Sequence, residues 1–351
     1  MQSSWRFALA HPLRAARAMR WLELLAGVGL VLLTGIDAIW TTLWVEGHAG
    51  PVSRRFGRLA SRGFGVLVAR GDDRLLSLRG PLVLVLSIAL WALLLWTGWT
   101  LVFHADPGAL AHADSGAAAD FFDAAYFAGY SISTLGNGDM VPRGPVWQLA
   151  TGVAGLSGLV LLTLVVTYVL QILQAVVVAR SLATQVHGLG DTAEQFVRRM
   201  WDGTSFRTGE LLLTSLVEQL NLSTEQHQAY PMLHYYRSQH PRQAIERAVC
   251  VLDDALTLLT YGVAEEVRPA PGVLRLARSA VGGYLDTLEG AFVRRADRPP
   301  PALTLAGLRA AHILTVDDAA FAAAIDAVRD RRQLVLGLLD SEEREWPMLS
   351  A

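Results

Sequence analysis

Residues 120–142 read DFFDAAYFAGYSISTLGNGDMVP. The first part, 120–134, is rich in aromatic and small residues and has no Arg. It predicts a short helix with Asp120 as N-cap, because an Asp side chain there satisfies N–H groups that the first turn leaves unpaired. Ser133-Thr134-Leu135-Gly136-Asn137-Gly138-Asp139 follows. Two glycines flanking one residue permit dihedrals that point successive backbone carbonyls the same way. A ring of such carbonyls can replace the water around a dehydrated cation, and the Thr134 hydroxyl can add one more oxygen layer. A simple re-entrant turn with no ion path is the plain alternative. The setting outweighs it: a charge-free span, a short aromatic helix, T-x-G-x-G-D, Pro142, and a second charge-free span.

Those spans are residues 80–103, with no charged residue, and 144–179, with no acid or Arg over 36 positions. A third apolar run, 24–45, carries one charge, Asp37. About 20 apolar residues cross the hydrocarbon core as a helix, so all three qualify. The first run is too long for a secretory signal and has no small-residue cleavage site after it. Trp21, Trp40, Trp44, Trp99 and Trp147 fall near the expected ends, where an interfacial aromatic belt belongs. The whole chain agrees: 351 residues, 52% apolar, 18% charged, mean hydropathy +0.33. That composition excludes a disordered charged tail and argues against a wholly soluble protein. All 30 basic residues are Arg, and the single cysteine, Cys250, makes no internal disulfide.

Orientation follows from Arg. Segment 46–79 has seven: Arg54, Arg55, Arg58, Arg62, Arg70, Arg74 and Arg79. Segment 104–142 has none, but has Asp106, Asp114, Asp120, Asp123 and Asp139. The positive-inside rule puts 46–79 in the cytoplasm and 104–142 outside. Three spans then leave Arg6, Arg14, Arg17 and Arg20 outside, unless the first run is re-entrant. The expected organisation is an N-terminal arm (1–20), a first membrane helix (21–45), and a basic amphipathic cytoplasmic linker (46–79). An outer helix (80–103), an extracellular loop (104–119), a pore helix and filter (120–142) and an inner helix (143–179) follow. A helical cytoplasmic domain (180–351) ends the chain. Within the linker, residues 52–70 alternate Arg with Phe, Leu and Val, as an interfacial helix does, although Gly57, Gly63 and Gly65 oppose it. Asp37, a charge inside a span, invites a functional reading or a pair with Arg79 or Arg54. His104 and His112 lie outside, as exposed histidines or pH sensors.

These residues resemble the pore module of the tetrameric potassium-channel superfamily, whose signature is T-V-G-Y-G-D between an outer and an inner helix. The resemblance covers about residues 80–178. It implies an all-α membrane protein, a homotetramer in lipid, and K+ or another monovalent cation as the permeant ion. It needs no cofactor and no metal beyond the permeating cations. The implied ion-binding positions are the Thr134 hydroxyl and carbonyl and the carbonyls of Leu135, Gly136 and Asn137, with Gly138 allowing the outer turn. Asp139 would sit behind the filter at its outer mouth, supported by Tyr126 and Phe127. The family's Tyr is Asn137 here, and Phe127 offers no polar hydrogen. Tyr126 can donate, with Asp139 as the expected acceptor. One lateral brace is therefore expected to be missing, and the K+/Na+ preference to be weak. Gly158 falls where the family's inner helix has a hinge, and close packing among Gly152, Gly155 and Gly158 is the alternative. Leu162, Val166 and Leu170, four apart, form an expected hydrophobic gate, with Gln174 at the cytoplasmic mouth.

Residues 180–351 show helical spacing and almost no strand alternation. Breaks are expected at Pro-Ala-Pro-Gly, 269–272, and at Pro299-Pro300-Pro301. No G-x-G-x-x-G follows a strand, so a nucleotide-binding regulatory domain is not expected, and neither is nucleic-acid binding. His227, His234 and His240 lack a close partner set of carboxylates and read as surface or core histidines. Glu342, Glu343 and Glu345 read as a solvated tail. No Ser-His-Asp, Cys-His or P-loop arrangement appears, so an enzyme is not expected. Two classes remain: a cation channel in a cell membrane, with the bacterial inner membrane expected, and a membrane-anchored helical scaffold with a non-conducting pore-like loop. The intact T-x-G-x-G-D favours the first.

Overall fold

The computed structural model describes residues 4–44, 50–67, 77–289 and 293–347. Arg70 and Arg74 lie outside the described residues, as do the side chains of Arg6, Arg14 and Arg62. The chain divides into two compact units, one of residues 1–44, 48–62 and 82–170, the other of residues 45–47, 63–81 and 171–351.

The first unit is built on three apolar helices: α1 (Ser4–Leu43), α3 (Arg79–His104) and α5 (Gly144–Leu189). Arg17–Leu43, Arg79–His104 and Gly144–Leu189 are each long and apolar enough to cross a membrane. At about 1.5 Å per residue, even the 26-residue α3 reaches about 39 Å, more than the hydrocarbon core needs. The sequence places an arm before the first span, but the backbone runs into α1 without a break.

Helices α1 and α3 are antiparallel. Glu23 faces His104 at 3.2 Å near one end, and Asp37 accepts from the Trp91 indole at 2.9 Å further along. Between these contacts the backbones meet at Gly27 and Gly98, where a Cβ on Gly27 would lie 2.7 Å from the Gly98 carbonyl oxygen. Small residues at a helix crossing give this close approach.

Amphipathic α2 (Pro51–Leu67) precedes α3. Its glycines do not break it. Asp37 holds its start. The carboxyl group accepts from Val52 N at 2.8 Å, from Ser53 N at 3.2 Å and from the Ser53 hydroxyl, while Gly50 N donates to Thr41 Oγ1 at 2.9 Å. The expected pair with Arg79 or Arg54 is therefore corrected. A helix start offers unpaired N–H groups and a positive dipole end, and these replace a side-chain cation as the partners of the acid. Asp37 is 1% exposed, and Arg54, Arg55 and Arg58 point outward.

The remaining elements of this unit are β1 (Leu110–His112), α4 (Phe121–Ile132) and β2 (Met140–Pro142). The strands pair antiparallel, Ala111 opposite Val141, and were not expected from the sequence, because three residues are too few to show alternation. A core of Leu95, Trp99, Val102, Phe103, Ala124, Phe127, Ala128 and Tyr130 packs α3 against α4, and Trp91 meets Tyr168 of α5 at 6.5 Å.

The second unit is helical. The apolar run of the inner span ends at residue 179, but α5 continues to Leu189, with Leu182, Ala183 and Val186 buried in this unit's core. Then come α6 (Ala193–Met200), α7 (Arg207–Ala229), α8 (Ile245–Thr257), α9 (Pro271–Leu288), α10 (Ala306–Ala310), α11 (Asp318–Ala327) and α12 (Arg329–Ser341). Helix α8 is buried on every side beyond its first turn, as a central core helix is. Two acids near its end are buried and paired: Asp253 with Arg278 at 2.9 Å and Arg331 at 2.6 Å, Asp254 with Arg332 at 2.8 Å. The Pro-Ala-Pro-Gly stretch does mark a boundary: Pro271 opens α9, where its missing N–H costs nothing. The three prolines lie in the non-helical segment before α10.

Candidate functional site

The site is the segment between α4 and β2. Helix α4 begins as the sequence predicts. Asp120 Oδ1 accepts from Asp123 N at 2.9 Å, and Asp123 Oδ2 accepts from Asp120 N at 3.0 Å, a capping box closed by two acids. His112 on β1 contacts Asp123 Oδ2 at 3.0 Å and ties the loop before α4 to this cap. One face of α4 is buried through Ala124, Phe127, Ala128, Tyr130 and Ser131. Phe127 meets Phe103 edge to face at 4.9 Å. The Trp96 indole donates to Ala125 O at 2.7 Å, and Trp99 donates to Ser157 Oγ of α5 at 3.0 Å.

After Ile132 the backbone leaves the helix in an alternating conformation. Thr134, Gly136 and Gly138 have φ of 61°, 61° and 83°, whereas Leu135, Asn137 and Asp139 are not in the positive region. For Gly136 and Gly138 this conformation is free; Thr134 carries a side chain into it and must be held there. It is held. Thr134 N donates to Ser131 O at 3.1 Å and Leu135 N to Tyr130 O at 2.9 Å. At the far end Ala113 N donates to Asp139 O at 2.8 Å, and the Tyr130 hydroxyl donates to Met140 O at 3.0 Å. The segment 133–139 between these anchors is exposed along its whole length in the single chain.

Asn137, short as it is, reaches α4. Asn137 Nδ2 donates to the Tyr126 hydroxyl at 2.6 Å. Asn137 is short, but Tyr126, one turn before Tyr130 on α4, supplies the reach. The expected donation from Tyr126 to Asp139 is not formed, and the Asp139 side chain has no hydrogen bond among the described residues. Phe127 is a packed ring, 1% exposed, edge to face with Phe103 and Tyr130. Leu135 projects outward, 72% exposed.

On α5, Gly158 is a packing residue. A Cβ there would lie 1.9 Å from the Ile132 carbonyl oxygen, and one on Gly155 would lie 3.4 Å from Ser131 O. The end of α4 rests on these two positions. Leu162, Val166, Leu170 and Gln174 follow Gly158 at four-residue spacing along α5, and all four are exposed.

The five acids of residues 104–142 are not equivalent. Asp120 and Asp123 cap α4, and Asp106 takes Gly108 N at 2.9 Å and the Trp147 indole at 3.3 Å. Arg143, just past the Arg-free segment, donates to Gly116 O and brings a positive charge to the same loop. His104 and His112 are both paired with acids. Tyr130 and His112 are the supports that sequence reasoning missed; the four-residue spacing of Tyr126 and Tyr130 was the available signal for the first. Among the described residues no cluster of three or more His, Cys, Asp or Glu side chains could hold a metal ion.

Residues 88–175 match the family described as "Ion channel" (Ion_trans_2). The chain is also 38% identical to the uncharacterized membrane protein YdjJ of Bacillus subtilis (strain 168), over 91% of this chain and 94% of that protein. No solved structure matches.

Proposed function

For a chain that belongs to the family of this Bacillus membrane protein and carries an ion-channel domain at residues 88–175, we propose passive conduction of monovalent cations through a fourfold pore. Residues 134–138 are its filter. The observation that carries this reading is the alternation of positive φ at Thr134, Gly136 and Gly138 in a segment tied at both ends. Such a backbone presents carbonyl oxygens in register, and one chain contributes a single strand of them. A ring of ligands needs four chains, and cyclic closure through identical interfaces supplies them.

In this reading Thr134, Leu135, Gly136 and Asn137 provide the ion ligands, and Gly138 makes the outer turn. Tyr126, through Asn137, sets the width, with Phe127 packed behind. K+ is preferred over Na+ by a smaller margin than in a filter braced by a Tyr, because one flexible amide replaces a rigid ring. Asp139 stands at the outer mouth and attracts cations. Leu162, Val166 and Leu170 converge as a hydrophobic gate, and Gln174 lines the mouth beyond it. The Arg-rich α2 and the second unit lie in the cytoplasm, and the membrane is the bacterial inner membrane.

The test is liposome flux with a paired control. Gly136→Ala places a Cβ on a residue at φ 61° and should abolish K+ flux while native mass spectrometry still finds a tetramer. Gly152→Ala, at a position with nothing within 4 Å of the added Cβ, should leave flux unchanged. A dimeric wild type, or flux that survives Gly136→Ala, contradicts the proposal.

A further inference from the structure

The second unit contains a cavity of about 50 Å³, room for a few water molecules. Ala175, Val176, Ala179 and Arg180 of α5 line it on one side. Two acids line it on the other: Glu246 in the first turn of α8, and Glu342, the residue after α12. Glu342 was expected in a solvated tail. Instead its side chain is 12% exposed, while Glu343 and Glu345 remain exposed.

We propose that Glu246 and Glu342 form a proton-binding site, sharing one proton across this cavity, and that losing the proton loosens the packing of the second unit on residues 175–180 of α5.

The charged and titratable surroundings come from every neighbouring element. Arg237 donates to the Glu342 backbone carbonyl, and Arg344 donates to Ser238 O. Arg79, at the start of α3, lies 5.2 Å over the Tyr235 ring and in the field of Glu342. Arg180 lines the cavity from α5. His234 Nδ1 is 4.0 Å from Glu342 Oε1, and burial beside Arg79 pushes its pKa down to about 3, so it is neutral. His227 is also pushed down by burial, and its ring meets that of Tyr284 at 5.5 Å. Burial and the two glutamates raise the Tyr284 hydroxyl well above its usual range, so it too is neutral, and burial likewise raises Tyr236. Neither histidine therefore adds a positive charge to the site, and neither tyrosine a negative one. Arg237, Arg344 and Arg79 oppose the acids' burial but do not overcome it.

The electrostatics agree with the geometry. Burial, and then the second acid, raise Glu342 to about 8. Burial raises Glu246, against Arg344 and Arg237. Two carboxyls in one desolvated site cannot both ionise cheaply, so one keeps its proton into the neutral range. The sign follows. A carboxyl whose folded pKa lies above its unfolded value contributes stability that is fully present below the unfolded value. That stability is lost as pH rises through the folded value. Alkalinisation therefore weakens this unit. Since its cavity wall includes α5, the weakening reaches the helix that carries the gate in the channel reading, on which that last step rests.

The test uses full-length protein in nanodiscs and needs no ion conduction, so failure of the channel reading leaves it intact. Infrared difference spectra from about pH 6 to about pH 9 report protonated carboxyl groups. Wild type should lose a protonated-carboxyl band with a midpoint near 8. Glu342→Gln should remove that step, and Glu246→Gln should move its midpoint downward, because burial still raises the remaining carboxyl but a second negative charge no longer does. Hydrogen exchange over residues 175–180, corrected for the intrinsic rate, should quicken at least tenfold from the acid to the alkaline limit in wild type and stay constant in Glu342→Gln. A melt at the acid limit matching wild type checks that this variant is folded. Absence of the band, or its survival in Glu342→Gln, overturns the proton site. Exchange that does not respond to pH in wild type overturns the link to α5.

Discussion

Asn137 and Tyr126 are joined by a 2.6 Å hydrogen bond that returns the segment after α4 to the middle of that helix. It is a bond within one chain between a short amide and a long phenol. If it sets the width of the filter, deleting either partner should cost the same selectivity. A neutral hydrogen bond is worth about 1 kcal/mol, so Tyr126→Phe and Asn137→Ala should each lower the K+/Na+ permeability ratio about fivefold. The double variant should lose no more than either single one, the signature of a shared interaction. Additive losses would separate the two residues.

Gly158 supports the same segment from α5, through the Ile132 carbonyl. Gly158→Ala forces two backbones apart, and overpacking of this kind costs about 1–3 kcal/mol. It should lower the melting temperature and reduce flux together. A variant that melts like wild type and conducts normally would show that the contact yields without consequence.

Asp37 anchors α2 to α1 and α3 through four donated hydrogen bonds. Asp37→Ala leaves those buried donors without an acceptor and should destabilise the protein in detergent by about 2–4 kcal/mol. Asp37→Asn keeps one acceptor oxygen and should lose less. Equal losses would point to the cavity left by the side chain instead of the hydrogen bonds.

Much of this unit was legible in the sequence. The three spans follow from unbroken apolar runs, and the start of α4 from Asp120. What escaped depends on partners far along the chain. Asp37 reads as an acid seeking an arginine, because nothing local reveals that the start of α2 and Trp91 of α3 converge on it. Glu342 stands in a run of acids that reads as solvated, and only the packing of α8, α9 and α5 buries it. Asn137 reads as too short to brace anything until Tyr126 is placed opposite. Local pattern fixes the elements, whereas these three residues are defined by which elements meet.

Leu162, Val166 and Leu170 leave an exposed apolar stripe on α5. If four copies converge there, the passage dewets and closes. Leu170→Asn should wet it and raise basal K+ flux severalfold, with assembly unchanged. Unaltered basal flux in a tetrameric variant would move the gate elsewhere.

The central claim is that residues 134–138 carry cations across the membrane. The most direct measurement is the bi-ionic reversal potential of purified protein in a planar bilayer, with K+ on one side and Na+ on the other. The account predicts single-channel currents carried by cations and a reversal potential displaced toward K+, with the displacement reduced in Tyr126→Phe. Bilayers that stay silent with tetrameric protein inserted, or currents that reverse where the anion gradient dictates, would contradict it.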